Sequence, residues 1–147
     1  MSTSTIVCDS SVIAKWFFPE EESQKALKIK EDFVAKIISI AVPLLLYWEI
    51  NNLFKTATKT LRLNAKSALG VYEAFLKLNF VAYSSEELMK RTLKTAIDFD
   101  ISSYDASYVA LADYLQKPLF TADQKLLSKV ESKFIFDLKS YGTKQES

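Results

Sequence analysis

Hydrophobic residues along the chain fall into two kinds of run. Five short runs are continuous, apolar and rich in β-branched or aromatic residues, which predicts buried strands. Longer stretches between them place apolar residues at helical spacing. The predicted strands are residues 5–8, 37–41, 80–83, 119–121 and 134–136, and the predicted helices are residues 22–35, 43–62, 64–78, 85–98, 103–116 and 122–130. This alternation predicts an α/β domain around a parallel sheet.

Local signals place several helix starts. Pro43 suits a first helical position, and Ser84 with Glu87 has the spacing of a capping box. We expect one domain over residues 1–141, followed by a flexible tail over residues 142–147.

Composition limits the class of protein. The chain has 147 residues, of which 49% are hydrophobic and 25% charged, and this is typical of one folded domain. Neither a run of about 18 apolar residues nor a signal peptide is evident, so we expect no membrane association. Cys8 is the single cysteine and cannot form an internal disulfide, which indicates a cytoplasmic location.

Two absences exclude whole classes of chemistry. The sequence contains no histidine, which rules out imidazole bases and histidine metal sites. It has only two glycines, neither in a loop that could cradle phosphate. Acidic side chains holding Mg²⁺ or Mn²⁺ are the leading chemistry that remains.

Three aspartates lie where ligands bind in parallel sheets, at the carboxyl ends of strands or at the start of a helix. Asp9 directly follows the first predicted strand, Asp123 follows the fourth, and Asp105 lies in the first turn of a helix opened by Ser102 or Ser103. Each also has a purely structural interpretation. Asp9 fits a helix N-cap, and the spacings Ser102–Asp105 and Thr121–Gln124 fit capping boxes.

Glu49 lies within the apolar stretch LLLYWEINNLF, where an unpaired carboxylate would be costly to bury. On a helical projection it falls at the border between a core face and a polar face. The core face comprises Leu46, Ile50, Leu53, Ala57 and Leu61, and the polar face comprises Asn52, Lys55, Lys59 and Arg62. At that border the carboxylate can reach either solvent or a metal-binding cleft.

These motifs together resemble the PIN-domain ribonucleases, in particular the VapC-like toxins of type II toxin–antitoxin pairs. The likeness covers essentially the whole chain and consists of four motifs in the expected order. They are DSSV at residues 9–12, EINN at residues 49–52, YDASYVALA at residues 104–112, and LFTAD at residues 119–123.

The resemblance implies a Rossmann-like, three-layer α/β/α sandwich with a short parallel sheet and an acidic pocket. Asp9, Glu49, Asp105 and Asp123 match the four acids that hold Mg²⁺ or Mn²⁺ and catalyse RNA hydrolysis, leaving a 5′-phosphate and a 3′-hydroxyl. Ser11, Thr121 and Asn52 match supporting polar positions. Where some relatives carry a further acid, this chain has QKLL at residues 124–127, which argues against a second fully liganded ion.

The same resemblance implies an RNA substrate, an antitoxin protein and a homodimer. Lys55, Lys59 and Arg62 are candidates for binding the RNA backbone. Tyr104, Tyr108 and Trp16 are candidates for stacking on bases, although packing is the role expected of at least two of them. The residues that either line a partner groove or fill the core are Trp16, Phe17, Phe18, Trp48 and Phe54.

Other functions fit less well. A haloacid-dehalogenase-like phosphatase needs an acid two residues after its nucleophile, where this chain has Ser11, and a phosphoacceptor receiver domain needs paired acids after its first strand. A non-catalytic PIN-like module would be expected to have lost acids. A PIN-domain nuclease of RNA processing or decay remains an open alternative to a toxin.

Overall fold

A computed structural model describes residues 3–20 and 22–142, which form one sheet flanked by helices. The strands are β1 (Ser4–Cys8), β2 (Ile38–Pro43), β3 (Val81–Tyr83), β4 (Leu119–Thr121) and β5 (Ile135–Asp137). The helices are α1 (Ser10–Phe17), α2 (Gln24–Val34), α3 (Leu45–Lys59), α4 (Ala65–Leu76), α5 (Glu86–Phe99), α6 (Ser103–Leu115) and α7 (Gln124–Lys129), followed by a 3₁₀ turn at Leu138–Ser140.

The five strands are all parallel and lie in the order β3-β2-β1-β4-β5. The chain therefore builds outward from β1 through β2 to β3, and then returns to place β4 on the other side of β1. Ligand sites in such sheets lie at the carboxyl ends of the strands where this reversal occurs. That point lies between β1 and β4, the strands that precede Asp9 and Asp123.

The reversal also separates the helices into two layers. Because crossover connections between parallel strands are right-handed, α1 to α4 cover one face of the sheet and α5 to α7 cover the other. Helix α1 packs on α2 and α3, whereas α6 packs on α5 and contacts β1, β2 and β4. The α/β/α sandwich with a short parallel sheet is thus confirmed.

Aromatic side chains fill much of the first layer. Phe33 and Phe80 stack with ring centroids 4.9 Å apart, and Trp16 lies 5.9 Å from each of them. The Trp16 indole N–H donates to the Ala26 carbonyl oxygen at 2.9 Å. Trp16 is buried in the core, so it cannot stack on RNA. Phe54 is also largely buried.

All five strands and all six helices of the sequence analysis are present, with their ends shifted by at most three residues. Helix α1 was not among the predicted helices. Pro43 differs from its predicted role, because it is the last residue of β2 and not the first residue of α3. The ladder continues past the proline, since the Leu44 N–H donates to the Tyr83 carbonyl oxygen at 3.2 Å.

Leu61 was wrongly assigned to the core face of α3. The helix ends at Lys59, and Leu61 takes a left-handed conformation with φ of 62°. This turn directs its side chain away from the core, and 88% of it is exposed. Leu46, Ile50 and Ala57 are buried as predicted.

Two predicted capping boxes are also wrong. Ser85, not Ser84, caps α5, because its backbone is extended and its hydroxyl accepts from the Leu88 N–H at 3.2 Å. Thr121 lies within β4 and directs its hydroxyl toward Asp9, so Asp123 caps α7 instead.

No helix in the described part of the chain is both long and apolar enough to span a membrane. The predicted tail begins at Gly142, and its residues 143–147 lie outside the described residues. The division into a domain and a tail remains a prediction.

The position of the α5 cap can be tested with two adjacent serines. Ser85→Ala should lower the free energy of unfolding by about 1 kcal/mol, because the Leu88 N–H loses its acceptor. Ser84→Ala is the matched control and should change it by less than about 0.5 kcal/mol. Urea denaturation of both variants measures the difference, and a larger loss from Ser84→Ala would contradict the assignment.

Candidate active site

Asp9 lies at the carboxyl end of β1 and is the most enclosed of the four candidate acids, with 6% of its surface exposed. It is the N-cap of α1, where Oδ1 accepts from the Ser11 N–H at 3.1 Å and from the Ser11 hydroxyl at 2.5 Å. Oδ2 accepts from the Thr121 hydroxyl at 2.5 Å. These bonds, together with one from the Val12 backbone, hold both carboxylate oxygens in place.

The Ser11 and Thr121 hydroxyls also join β1 to the end of β4. Because each hydroxyl donates its hydrogen bond to Asp9, its oxygen is free to accept a hydrogen bond from the backbone. Ser11 Oγ accepts from the Ala122 N–H, and Thr121 Oγ1 accepts from the Asp123 N–H, both at 3.0 Å. The two predicted supporting residues therefore tie Asp9 to the loop that carries Asp123.

Burial raises the pKa of Asp9 to about 6, despite the opposing effect of hydrogen bonds from Ser11, Thr121 and the Val12 backbone. The negative charge of Asp105 raises it further. At neutral pH the protein thus holds a carboxylate that its surroundings do not fully stabilise.

Glu49 occupies the predicted border of α3 and is half-buried. Its Oε1 accepts from the Tyr108 hydroxyl at 2.5 Å. Burial raises the pKa of Glu49, hydrogen bonding from Tyr108 and Ser10 lowers it, and the Asp105 charge raises it. Tyr108 is only 1% exposed, so of its two predicted roles the structure supports packing and excludes stacking on a base.

Asp105 and Asp123 begin the two helices on either side of β4. The Asp105 N–H donates to Ser102 Oγ at 3.1 Å, which confirms that Ser102 caps α6. Asp123 caps α7 through Oδ1, which accepts from the Lys125 and Leu126 N–H groups at 3.0 and 3.1 Å. Oδ2 of Asp123 is not needed for this cap.

The four acids come from four different elements and act on one another electrostatically. The charge of Asp105 raises the pKa values of both Asp9 and Glu49. The pKa of Asp105 is itself raised, first by burial and then by the Asp123 charge. Asp105 therefore links all four carboxylates.

No lysine or arginine neutralises this cluster within residues 3–20 and 22–142, where every ion pair involves other acids. Across the same residues, no three acidic or cysteine side chains are grouped closely enough to hold one ion as placed. In this arrangement a cation would have at most two of these carboxylates as direct ligands and water in its other positions, as Mg²⁺ accepts.

The other predicted residues occupy the surface. Asn52 is exposed, and the hydrogen bond to Glu49 comes from Tyr108 instead.

The candidate RNA-binding residues Lys55, Lys59 and Arg62 are also exposed. The Arg62 guanidinium lies 4.4 Å above the Phe18 ring. Tyr104 is 65% exposed and open to a ligand.

Two functional contacts were not foreseen from the sequence. Ser10 lies beside both Glu49 and Tyr108, and the Tyr108 hydroxyl is the hydrogen-bond donor to Glu49. The spacing of Asp105 and Tyr108, three residues apart on one helix, was the available signal, because such residues lie on the same face.

The order of the strands, the acids at their carboxyl ends and the helix that carries Glu49 agree with a known family. The PIN domain family matches residues 6–133. The chain is a PIN-domain protein. This membership confirms the resemblance drawn from the four motifs.

Relatives of this PIN domain include characterised and structurally solved proteins. The chain is 32% identical to Ribonuclease VapC3 of Pyrobaculum aerophilum over 128 residues, which cover 84% of this chain and 93% of the relative. The crystal structure of PAE2754 from the same organism superimposes with a TM-score of 0.66 and 23% identity, covering 95% and 94% of the two chains. A toxin–antitoxin complex from Klebsiella pneumoniae contains a chain with a TM-score of 0.63 and 16% identity, covering 90% and 97%.

Without metal, the stability of this PIN domain should fall as pH rises from about 4 to 7. The folded-state pKa of Asp9 lies above its ordinary value of 3.8, so the folded state retains a proton that the unfolded chain has released. The loss attributable to Asp9 is roughly 3 kcal/mol, measured by urea denaturation in EDTA across this range.

Asp9→Asn should flatten that pH dependence and match or exceed the wild-type stability at pH 7. Asp98→Asn is the matched control, because Asp98 is an exposed acid paired with Lys94, and it should keep the wild-type slope. If Asp9→Asn were much less stable than wild type at pH 7, Asp9 would be a structural cap and no more.

Proposed function

We propose that this PIN domain is a metal-dependent endoribonuclease that hydrolyses RNA phosphodiester bonds and serves as the toxin of a toxin–antitoxin pair. The observation that supports it most directly is the set of four acids at the sheet switch point. Asp105 interacts electrostatically with the other three, and none of the four has a cationic partner among the described residues. The name of the relative Ribonuclease VapC3 supports the same activity.

The donor set fits a hard divalent cation such as Mg²⁺ or Mn²⁺. It offers carboxylate and hydroxyl oxygens and excludes histidine, and those are the ligands that such ions prefer. Asp9 is proposed as the principal ligand, because its strand end and two hydroxyl contacts hold it most firmly. Asp105 and Asp123 would complete the site, either directly or through water.

A bound divalent ion supplies an acidified water and neutralises charge on the phosphate oxygens. Glu49 is proposed to orient that water or to accept its proton. Burial supports this role, because a raised pKa brings a carboxylate nearer to the range in which general bases work. Ser11 and Thr121 hold Asp9 in place, and Asn52 lies one helical turn beyond Glu49 as a further polar group.

RNA is proposed to follow the exposed side of α3. Lys55, Lys59 and Arg62 lie on or just beyond this helix, on the side away from the core. Setting aside the four site acids, basic residues outnumber acidic ones by five, which favours attraction of a polyanion. Of the three candidates for base stacking, Tyr104 is the one that is exposed.

Partners complete the proposal. The structural likeness to a chain of a toxin–antitoxin complex supports a cognate antitoxin, for which the groove between α3 and α4 beside Phe54, Leu69 and Tyr72 is a candidate. Met89, Leu93 and Ile97 form an exposed apolar stripe along α5, which supports a homodimer. We also propose that the protein acts in the cytoplasm.

Two alternatives stay within the same family. A non-catalytic PIN-like module is disfavoured, because all four acidic positions keep their carboxylates. A nuclease of RNA processing or decay would use the same site chemistry and would differ only in its partner.

RNA cleavage by the purified protein tests the proposal. We expect single-stranded RNA to be cut with Mg²⁺ or Mn²⁺ and left intact with EDTA, as followed on denaturing gels. Asp9→Asn and Glu49→Gln should each lower the rate by at least about 100-fold, because loss of a residue that only supports a metal ligand already costs about 10- to 100-fold. Asp98→Asn, far from the strand ends in sequence, should leave it unchanged.

Equal cleavage by all variants that also persists in EDTA would identify a contaminating nuclease and contradict the assignment. The same holds for a wild-type protein that binds RNA with Mn²⁺ but never cuts it, which would favour the non-catalytic module.

A further inference from the structure

The Tyr108 hydroxyl is a buried polar group whose contacts point into the acidic site. The ring lies in the core on α6, and its hydroxyl donates to Glu49 Oε1 on α3 at 2.5 Å. Ser10, the residue after Asp9, lies beside both groups. This single hydroxyl therefore connects α6, α3 and the end of β1.

We propose that Tyr108 is a positioning residue, which fixes Glu49 Oε1 so that Oε2 is presented to the attacking water. This inference rests on the proposed nuclease function and assigns a role that the four-acid set does not include. Tyr108 itself touches neither RNA nor metal in this scheme.

A glutamate needs such a restraint more than an aspartate does. Glu49 lies at a helix border, with an extra rotatable bond compared with the three aspartates and no backbone cap on its carboxylate. A hydrogen bond to a charged acceptor is short and strong, and this one comes from a ring that the core holds rigidly. Catalytic groups need such support to keep within about 0.5 Å of a working geometry.

Tyr108 is also a constant donor. Burial, followed by the adjacent Glu49 charge, raises its pKa well above the ordinary value, so the hydroxyl keeps its proton throughout the physiological range. Since an ionised Glu49 can only accept, the direction of this hydrogen bond is fixed.

The position of Tyr108 along α6 couples two of the site acids. Asp105 lies three residues earlier on the same helix, so the two side chains share one face. Helix α6 thus carries one acid directly and orients a second acid that belongs to α3. A shift of this helix would move both together.

The test compares two tyrosine-to-phenylalanine changes that each remove one buried hydroxyl. Tyr108→Phe leaves the ring in place and removes the contact to Glu49. Tyr141→Phe is the matched control, because the Tyr141 hydroxyl donates to a different buried carboxylate, Asp32 Oδ2, at 2.7 Å. Thermal melting first establishes a temperature at which both variants are folded.

We expect Tyr108→Phe to lower kcat about 10- to 100-fold, which is the usual effect of losing a residue that orients a metal-site ligand. The KM for RNA should be unchanged. Tyr141→Phe should keep kcat within about twofold of wild type. In a Glu49→Gln background, Tyr108→Phe should cause little further loss, because it acts through Glu49. An equal loss in both backgrounds, or full activity of Tyr108→Phe, would overturn the inference.

Crystal structures of the metal-free wild type and both variants give a readout that does not depend on activity. The Glu49 carboxylate should be ordered in wild type and Tyr141→Phe, and displaced or disordered in Tyr108→Phe. An unchanged, ordered Glu49 in Tyr108→Phe would overturn the inference. If wild type proves inactive on RNA, the proposed function fails, and this comparison still decides whether Tyr108 positions Glu49.

Discussion

Burial of neighbouring carboxylates without a basic partner is the constraint on which the site depends. Asp9 is enclosed at the end of β1, and Asp105 lies near enough to raise the pKa values of both Asp9 and Glu49. Hydrogen bonds from Ser11 and Thr121 offset only part of this penalty, and no basic side chain among the described residues pairs with these acids. A fold that keeps such a cluster sacrifices stability at neutral pH unless a cation joins it.

The order of the strands explains how distant acids meet. Because β4 returns to lie against β1, the residues that follow these two strands become neighbours although more than a hundred positions separate them. The Ser11 and Thr121 hydroxyls then connect Asp9 to the backbone of the loop that carries Asp123. Asp9 and Asp123 can each cap a helix and still contribute to the site, since a cap uses only part of a carboxylate's hydrogen-bonding capacity.

Sequence patterns predicted what depends on local spacing. Strand and helix positions follow from apolar periodicity, and the border position of Glu49 follows from its helical phase. The pattern failed at element ends, where single contacts decide: Pro43 stays in β2 through the Leu44–Tyr83 hydrogen bond, and Leu61 turns outward after α3. The pattern left Tyr108 between stacking and packing, because only tertiary structure reveals that its ring is buried and that its hydroxyl contacts Glu49.

A crystal structure of the protein soaked in Mn²⁺, with the ion located by its anomalous scattering, decides whether these acids bind a cation. We expect one strong peak at the carboxyl ends of β1 and β4, about 2 Å from an Asp9 oxygen, with the other acids bound directly or through water. If the pocket showed no peak although Mn²⁺ bound elsewhere in the crystal, or showed none even at high Mn²⁺, these acids would not form a cation site.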